Sequence, residues 1–230
     1  RALHEETDYA VVLVYPASGF WAEAEWMRGF GDFYSDLVTN KRFVHALLDK
    51  ILEVKLEMTQ RVLSETKGFI DVMYSGDDLG TQDGPMISVK MYEEFVKPRQ
   101  KILFETMKKT DPNAKLLYHS DGCMDMFLPH LIEIGIESLN PVQVSAKNMG
   151  DTARLKCEFG KDISFWGGID TGRVIPFGTR DEIFEEVKRR IGDMAPGGGY
   201  VLAAVHNIQE EVPPENICAI FEAAMEYGHY

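Results

Sequence analysis

The residues able to do chemistry fall in two short stretches and a few isolated positions. His119-Ser120-Asp121 sets an imidazole and a carboxylate two residues apart. In extended chain such side chains project the same way, as metal ligands or as an acid/base pair would need. His206 follows the apolar run Tyr200 to Ala204. Two histidines and one carboxylate suit zinc with its fourth position open to a substrate. The same three would equally form a hydrogen-bonded pair of strand-end histidines and a turn aspartate, and spacing leaves both readings open. Asp77-Asp78, within Ser75-Gly76-Asp77-Asp78-Leu79-Gly80, reads as a proton-handling or cation-binding pair, or as an Asx-turn that caps a helix. One residue can take each job. Asp170, in Gly167-Gly168-Ile169-Asp170-Thr171, could orient a ligand, although a glycine pair also simply lets a loop turn sharply. Cys123 is a substitute ligand if Asp121 is not one, or a small buried side chain. His45 and His130 lie in helical patterns and read as ordinary helix residues.

Short β-branched runs alternate with long helix-period runs to place these groups. The expected strands are Tyr9 to Tyr15, Phe69 to Tyr74, Lys115 to Tyr118, Ile136 to Leu139, Ile163 to Trp166 and Tyr200 to Ala204. Helical patterns cover Ala2 to Thr7, Trp21 to Phe30, Lys41 to Thr66, Val89 to Lys109, Met124 to Ile134, Thr152 to Phe159, Arg180 to Ile191 and Glu215 to Glu226. Pro98 should kink or break the fourth of these, because proline lacks the amide and crowds the preceding turn. The alternation, with no hairpin dipeptide between strands, implies parallel strands and crossover helices. No G-x-G-x-x-G follows a strand, which favours a barrel over a dinucleotide-binding sheet. Six strands are visible where a complete barrel has eight. The expectation is one domain over residues 1–230, an α/β chain of the (β/α)8 TIM-barrel type, truncated at its N-terminal side. Reading past each strand's carboxyl end gives Tyr15, then Asp77 and Asp78, His119 and Asp121, Asn140 and Gln143, Asp170, and His206 with Asn207. In parallel α/β proteins that face is where a site assembles.

Composition narrows the function. A chain of 230 residues, 45% hydrophobic, can bury one substantial core. The formal net charge of −13 leaves no basic footprint for nucleic acid and opposes a bulky polyanion. No apolar run long enough to span a membrane and no signal-peptide pattern is visible, so the expectation is a cytoplasmic protein. Three cysteines at wide spacing argue against a disulfide framework.

The motifs then resemble a known family. Gly19-Phe20-Trp21-Ala22-Glu23-Ala24-Glu25-Trp26-Met27-Arg28-Gly29 is similar to the G-x-F-E-x-A-x-x-L-R-G helix of the uroporphyrinogen decarboxylase superfamily. Gly76 to Gln82 with Gly84 to Ser88 resembles its next strand-end loop, and His119-Ser120-Asp121-Gly122 stands where the superfamily has H-S-C-G or H-S-D-G. Leu139 to Gln143, Phe165 to Asp170, Val205 to Gln209 and Val212 to Ile217 complete the set in order.

The resemblance implies a distorted (β/α)8 barrel with one of two activities. The first is zinc-assisted methyl transfer between a small methyl donor or acceptor and a corrinoid carried by a partner protein. The other is cofactor-free decarboxylation of uroporphyrinogen in porphyrin biosynthesis. Methyltransferases of the superfamily carry H-x-C plus a ligand at the last strand, and His119, Asp121 and His206 fall there. Asp121 replaces the cysteine, and a harder donor set still binds zinc with less thiolate selectivity. An O-demethylase spacing, E-x14-E-x20-H, would instead use Asp170, Glu185 and His206, with Glu185 on a helix outside the barrel. The decarboxylase's arginine-rich N-terminal motif would belong to the segment expected to be missing, and Glu25 or Trp26 takes the place of its catalytic tyrosine. The reading favoured is methyl transfer. It gives Asp77, Asp78, His119 and His206 catalytic roles, lets Tyr15, Trp21, Asn140, Gln143 and Asp170 bind substrate, and assigns zinc to His119, Asp121 and His206.

Overall fold

The computed structural model describes residues 1–14 and 19–229. The chain runs α1 (Ala2–Glu6), β1 (Val12–Leu13), α2 (Trp21–Arg28), α3 (Phe30–Thr39), α4 (Lys41–Thr66) and β2 (Val72–Gly76). It continues through α5 (Val89–Met91), a π-helical turn (Tyr92–Val96), α6 (Lys97–Thr110), β3 (Lys115–His119), α7 (Leu128–Glu133) and β4 (Ser138–Asn140). Last come α8 (Thr152–Phe159), β5 (Ser164–Ile169), α9 (Val174–Phe177), α10 (Arg180–Met194), β6 (Tyr200–Ala204) and α11 (Pro214–Tyr227). The six strands follow chain order across one sheet, and the registered pairs are parallel. A doubly wound sheet would reverse its order at a switch point. The uninterrupted order is that of consecutive β/α units, as the sequence led us to expect.

Two compact units divide the residues. The first comprises residues 1–78, 87–119 and 129–137. Its β2 pairs with β3 from Val72↔Lys115 to Gly76↔His119. Met73 and Leu116 of these strands are buried, as are Leu48 and Leu63 of α4 and Leu103 and Phe104 of α6. The second comprises residues 79–86, 120–128 and 138–230. There β5 pairs with β6, and α10 packs on α11. A full capping box starts α10: Thr179 accepts from the Glu182 amide while the Glu182 carboxylate accepts from the Thr179 amide.

The helix expected to yield at Pro98 does so. It divides into α5, a π-helical turn and α6, with Pro98 in the first turn of α6, where a missing amide costs nothing. One helix was not anticipated. The stretch between the expected Trp21 to Phe30 and Lys41 to Thr66 helices carries α3, which Gly29 (φ +87°) separates from α2 and which buries Phe33 and Leu37. β1 is far shorter than Tyr9 to Tyr15, and Tyr15 lies outside the described residues. No helix among the described residues is long and apolar enough to cross a membrane.

Candidate active site

The first unit carries a cleft of about 240 Å3 at the carboxyl ends of β2 and β3, lined by Gly19, Ala22, Glu23, Trp26, Tyr74, Gly76, Asp77, Asp78 and His119. Its back wall is α2, held by Asp77. The Asp77 Oδ1 accepts from the Trp21 amide at 2.9 Å and the Ala22 amide at 3.3 Å, and Oδ2 accepts from the Phe20 amide at 3.3 Å. A carboxylate just past β2 thus satisfies the donors that open a helix more than fifty residues earlier in the chain. Gly19 permits the approach: a Cβ there would lie 1.8 Å from Asp77 Oδ1 and 2.2 Å from the Gly76 carbonyl oxygen. Burial outweighs the three amide donors and pushes the Asp77 carboxyl up to about 7.

Asp78 faces the other way. Its side chain is 55% exposed, and its Oδ1 lies 3.9 Å from His119 Nε2. The His119 ring packs beside Tyr74 with centroids 5.7 Å apart. Thus the Asp77-Asp78 pair separates its roles, with the cap on Asp77 and the open carboxylate on Asp78. Trp26 stands 80% exposed on the cleft wall. Glu23 is ion-paired with the buried Lys55 of α4. Ala22, Glu23 and Trp26 share one helical face, a spacing that could have flagged them in the sequence. Tyr74 of β2, four residues before Asp78, was also missed.

Trp21 requires a correction as a substrate contact. Its side chain has no exposed surface and packs edge-on against Phe33, while its indole N–H donates to the Tyr34 hydroxyl at 3.3 Å. A large aromatic at the first turn of an amphipathic helix points to the core, and only its backbone amide serves the site. The Tyr34 hydroxyl donates in turn to Glu25 at 2.7 Å. Burial, opposed by hydrogen bonds from Tyr34 and Trp21, holds the Glu25 carboxyl above its usual range.

In the second unit His206 Nε2 lies 3.7 Å from Asp121 Oδ2, with the His206 side chain 51% exposed. The loop carrying Asp121 is fixed by Gln143, whose Oε1 accepts from the Gly122 amide at 2.6 Å. Gly122 (φ +86°) packs so closely on Gly80 that a Cβ would meet the Gly80 carbonyl carbon at 2.4 Å. Asn140 Nδ2 donates to the Trp166 carbonyl at 3.1 Å. Asp170 is buried and closes its own turn, accepting from the Gly172 amide at 2.8 Å and the Arg173 amide at 3.1 Å. Glu185 is exposed on α10 beside Lys188. The Cys123 thiol is buried, donates to Asp125 and is pushed up to about 11, so it is a poor source of thiolate.

The donor chemistry can be tested against a metal. Two ligands on a tetrahedral zinc, each about 2.0–2.2 Å away, lie roughly 3.4 Å from one another. The His119–Asp78 and His206–Asp121 pairs, at 3.9 and 3.7 Å, each need to close by only a few tenths of an ångström. Imidazole and carboxylate are both donors that zinc accepts, so the residues fit the ion.

A sheet whose strands run parallel in chain order, with its polar groups just past their carboxyl ends, defines a β/α-barrel type of enzyme scaffold. Residues 1–227 match the family model described as uroporphyrinogen decarboxylase (URO-D). The chain belongs to that family. It is 25% identical over 238 residues to a uroporphyrinogen decarboxylase of Nostoc punctiforme, covering 98% of this chain and 61% of the relative. It is 30% identical over 234 residues to a chloroplastic uroporphyrinogen decarboxylase 2 of Arabidopsis thaliana, covering 98% of this chain and 55% of the relative. Among solved structures, a methyltransferase from Methanosarcina mazei superposes with a TM-score of 0.77 at 20% identity, over 99% of this chain and 62% of that one. The chain therefore spans less than two thirds of the length of these relatives.

Proposed function

We propose that this chain belongs to a methyltransferase that moves a methyl group between a small substrate and a corrinoid carried by a partner protein. The observation that carries the reading is the cleft's lining. Its carboxyl and imidazole groups are those of Glu23, Asp77, Asp78 and His119, with no arginine or lysine among the described lining residues. Arg28, at the end of α2, is ion-paired with Asp36 and Asp32. A porphyrinogen bearing many carboxylates would meet repulsion in such a cleft. A small neutral or cationic methyl donor would not.

Asp78 is the residue placed to hand a proton to a departing oxygen or nitrogen, because it is open to the cleft and next to His119. Asp77 fixes α2 and with it the wall bearing Trp26. His119 beside Asp78, and His206 beside Asp121, offer the imidazole and carboxylate donors that would hold zinc; a bound ion would supply Lewis acidity toward a substrate oxygen or thiol. Asn140, Gln143 and Asp170 shape the loops that surround the substrate.

A second reading, uroporphyrinogen decarboxylation, is favoured by the names of the sequence relatives. One experiment separates the two. The intact protein is supplied with methyl donors and a corrinoid protein, and in parallel with uroporphyrinogen. Demethylation with no release of carbon dioxide supports the proposal; coproporphyrinogen formation would overturn it.

A further inference from the structure

Behind the cleft, a file of polar side chains runs through the apolar core of the first unit to the peptide of Asp77. The Tyr92 hydroxyl donates to Gln100 Oε1 at 2.7 Å, and Gln100 Nε2 donates to the Tyr118 hydroxyl at 2.7 Å. The Tyr118 hydroxyl donates to the Asp77 carbonyl oxygen at 3.4 Å, the longest link. All three side chains are buried, and Phe104 packs edge-on against Tyr118. Every donor points toward Asp77, so the dipoles reinforce one another. The π-helical turn is what lets the file form. In an uninterrupted α-helix, residues eight apart stand roughly 80° apart around the axis. The wider turn at Tyr92–Val96 takes up most of that angle and brings Tyr92 over Gln100.

Stability gives little reason for such a file, since replacing hydrogen-bonded partners together by apolar groups of similar shape is nearly neutral. Its endpoint gives a better one. The Asp77 amide donates to the His119 carbonyl at 3.1 Å, its carboxylate holds the first turn of α2, and its carbonyl accepts from Tyr118. That peptide sets where Asp78 enters the cleft. We propose that Tyr92, Gln100 and Tyr118 are positioning residues that hold the Asp77-Asp78 segment in place for the reaction. Their effect on turnover rests on the cleft being the reaction site, as argued above; their effect on the segment does not.

The test is a triple variant of the intact protein, Tyr92→Phe with Gln100→Met and Tyr118→Phe. Three readouts are taken: the thermal midpoint, amide hydrogen exchange, and the kcat and KM of methyl transfer. We expect a midpoint within a few degrees of the parent. Exchange at Trp21 and Ala22 should be about tenfold faster. The kcat should fall about tenfold or more with KM unchanged, as slight misplacement of a reacting group would cause. Restoring Tyr118 alone should recover part of both losses. Parental exchange and parental kcat in the triple variant would overturn the proposal. So would a large drop in midpoint with faster exchange throughout the first unit, which would mark a merely structural file. If the parent shows no methyl transfer while exchange still accelerates only at α2, the positioning role stands and the reading of the reaction falls.

Discussion

The polar residues at the strand ends of the first unit and those of the second are of similar kinds, yet they are used differently. Around β2 and β3, one carboxylate is buried as the cap of a remote helix so that its neighbour can face a cleft beside His119. Around β4 and β5, Gln143 and Asp170 turn onto the amides of nearby loops, and Asn140 onto a strand carbonyl. In the same unit Asp121, past β3, and His206, past β6, lie at a mutual distance suited to a shared ligand. The same chemical inventory therefore divides into groups that hold backbone and groups that face solvent, and only the second kind can touch a substrate.

The largest effects should come from that second kind. Asp78→Asn is expected to lower methyl transfer by about 10²-fold or more if Asp78 delivers the proton, with the fold retained. His206→Ala should lower zinc content and abolish transfer, also without unfolding. Unchanged zinc stoichiometry and turnover in His206→Ala would return Asp121 and His206 to an ordinary strand-end ion pair.

Next comes the contact on which the first unit's cleft depends. Gly19→Ala would drive a methyl group into the Asp77 carboxylate and the Gly76 carbonyl, both of which are fixed. A destabilisation of about 3 kcal/mol is expected, measurable by urea unfolding, with loss of amide protection at Trp21. A neutral substitution would mean that the capping contact is not formed.

Asp77 gives a smaller and pH-dependent effect. Its carboxyl titrates at about 7 when folded and in the ordinary carboxylate range when unfolded, because burial disfavours the charge. Between about pH 4 and 7 the unfolded chain has released this proton and the folded chain keeps it, so this group makes stability fall as pH rises through that window. Asp77→Asn retains an oxygen for the α2 amides and cannot ionise. It should match the parent near pH 4 and exceed it by about 1–3 kcal/mol at pH 8. Parallel urea midpoints for parent and variant across that range would show that Asp77 is not the source of the slope.

Much of this architecture is legible in the sequence where the signal is local. The α4 pattern from Lys41 to Thr66 and the β6 run from Tyr200 to Ala204 are recovered to the residue, since an amphipathic period and an apolar run with turn residues on both sides need no distant partner. Pro98 announces the break before α6 for the same reason. What periodicity cannot reveal is pairing across long separations. Nothing near Asp77 points to the amides of Phe20, Trp21 and Ala22, so its burial and its shifted titration emerge only from the fold. The π-helical turn is equally hidden, because its sequence reads as ordinary helix and only the link from Tyr92 to Gln100 gives the extra residue a purpose. Trp21 was misjudged because the family motif draws attention to the segment without saying which face of α2 is inward.

The smallest expected effect concerns Gln143, and it tests the contrast between the two regions directly. In the sequence Gln143 stands past a strand end, where a substrate contact is a natural reading. In the fold its side-chain oxygen accepts from the Gly122 amide, and Gly122 is buried against Gly80. Gln143→Leu removes that acceptor and leaves a buried amide unsatisfied, which costs about 1–2 kcal/mol. Gln143→Glu keeps an acceptor at the same reach and should recover most of the loss. If Gln143 mainly holds the loop, stability falls in the leucine variant while KM for the methyl donor changes only in step with the loosening of Asp121. If it binds substrate, KM rises with the thermal midpoint unchanged, and the glutamate variant fails to restore it because a carboxylate presents no amide donor. The second outcome would place Gln143 with Asp78 among the groups that face the substrate, and would break the division drawn between the two regions.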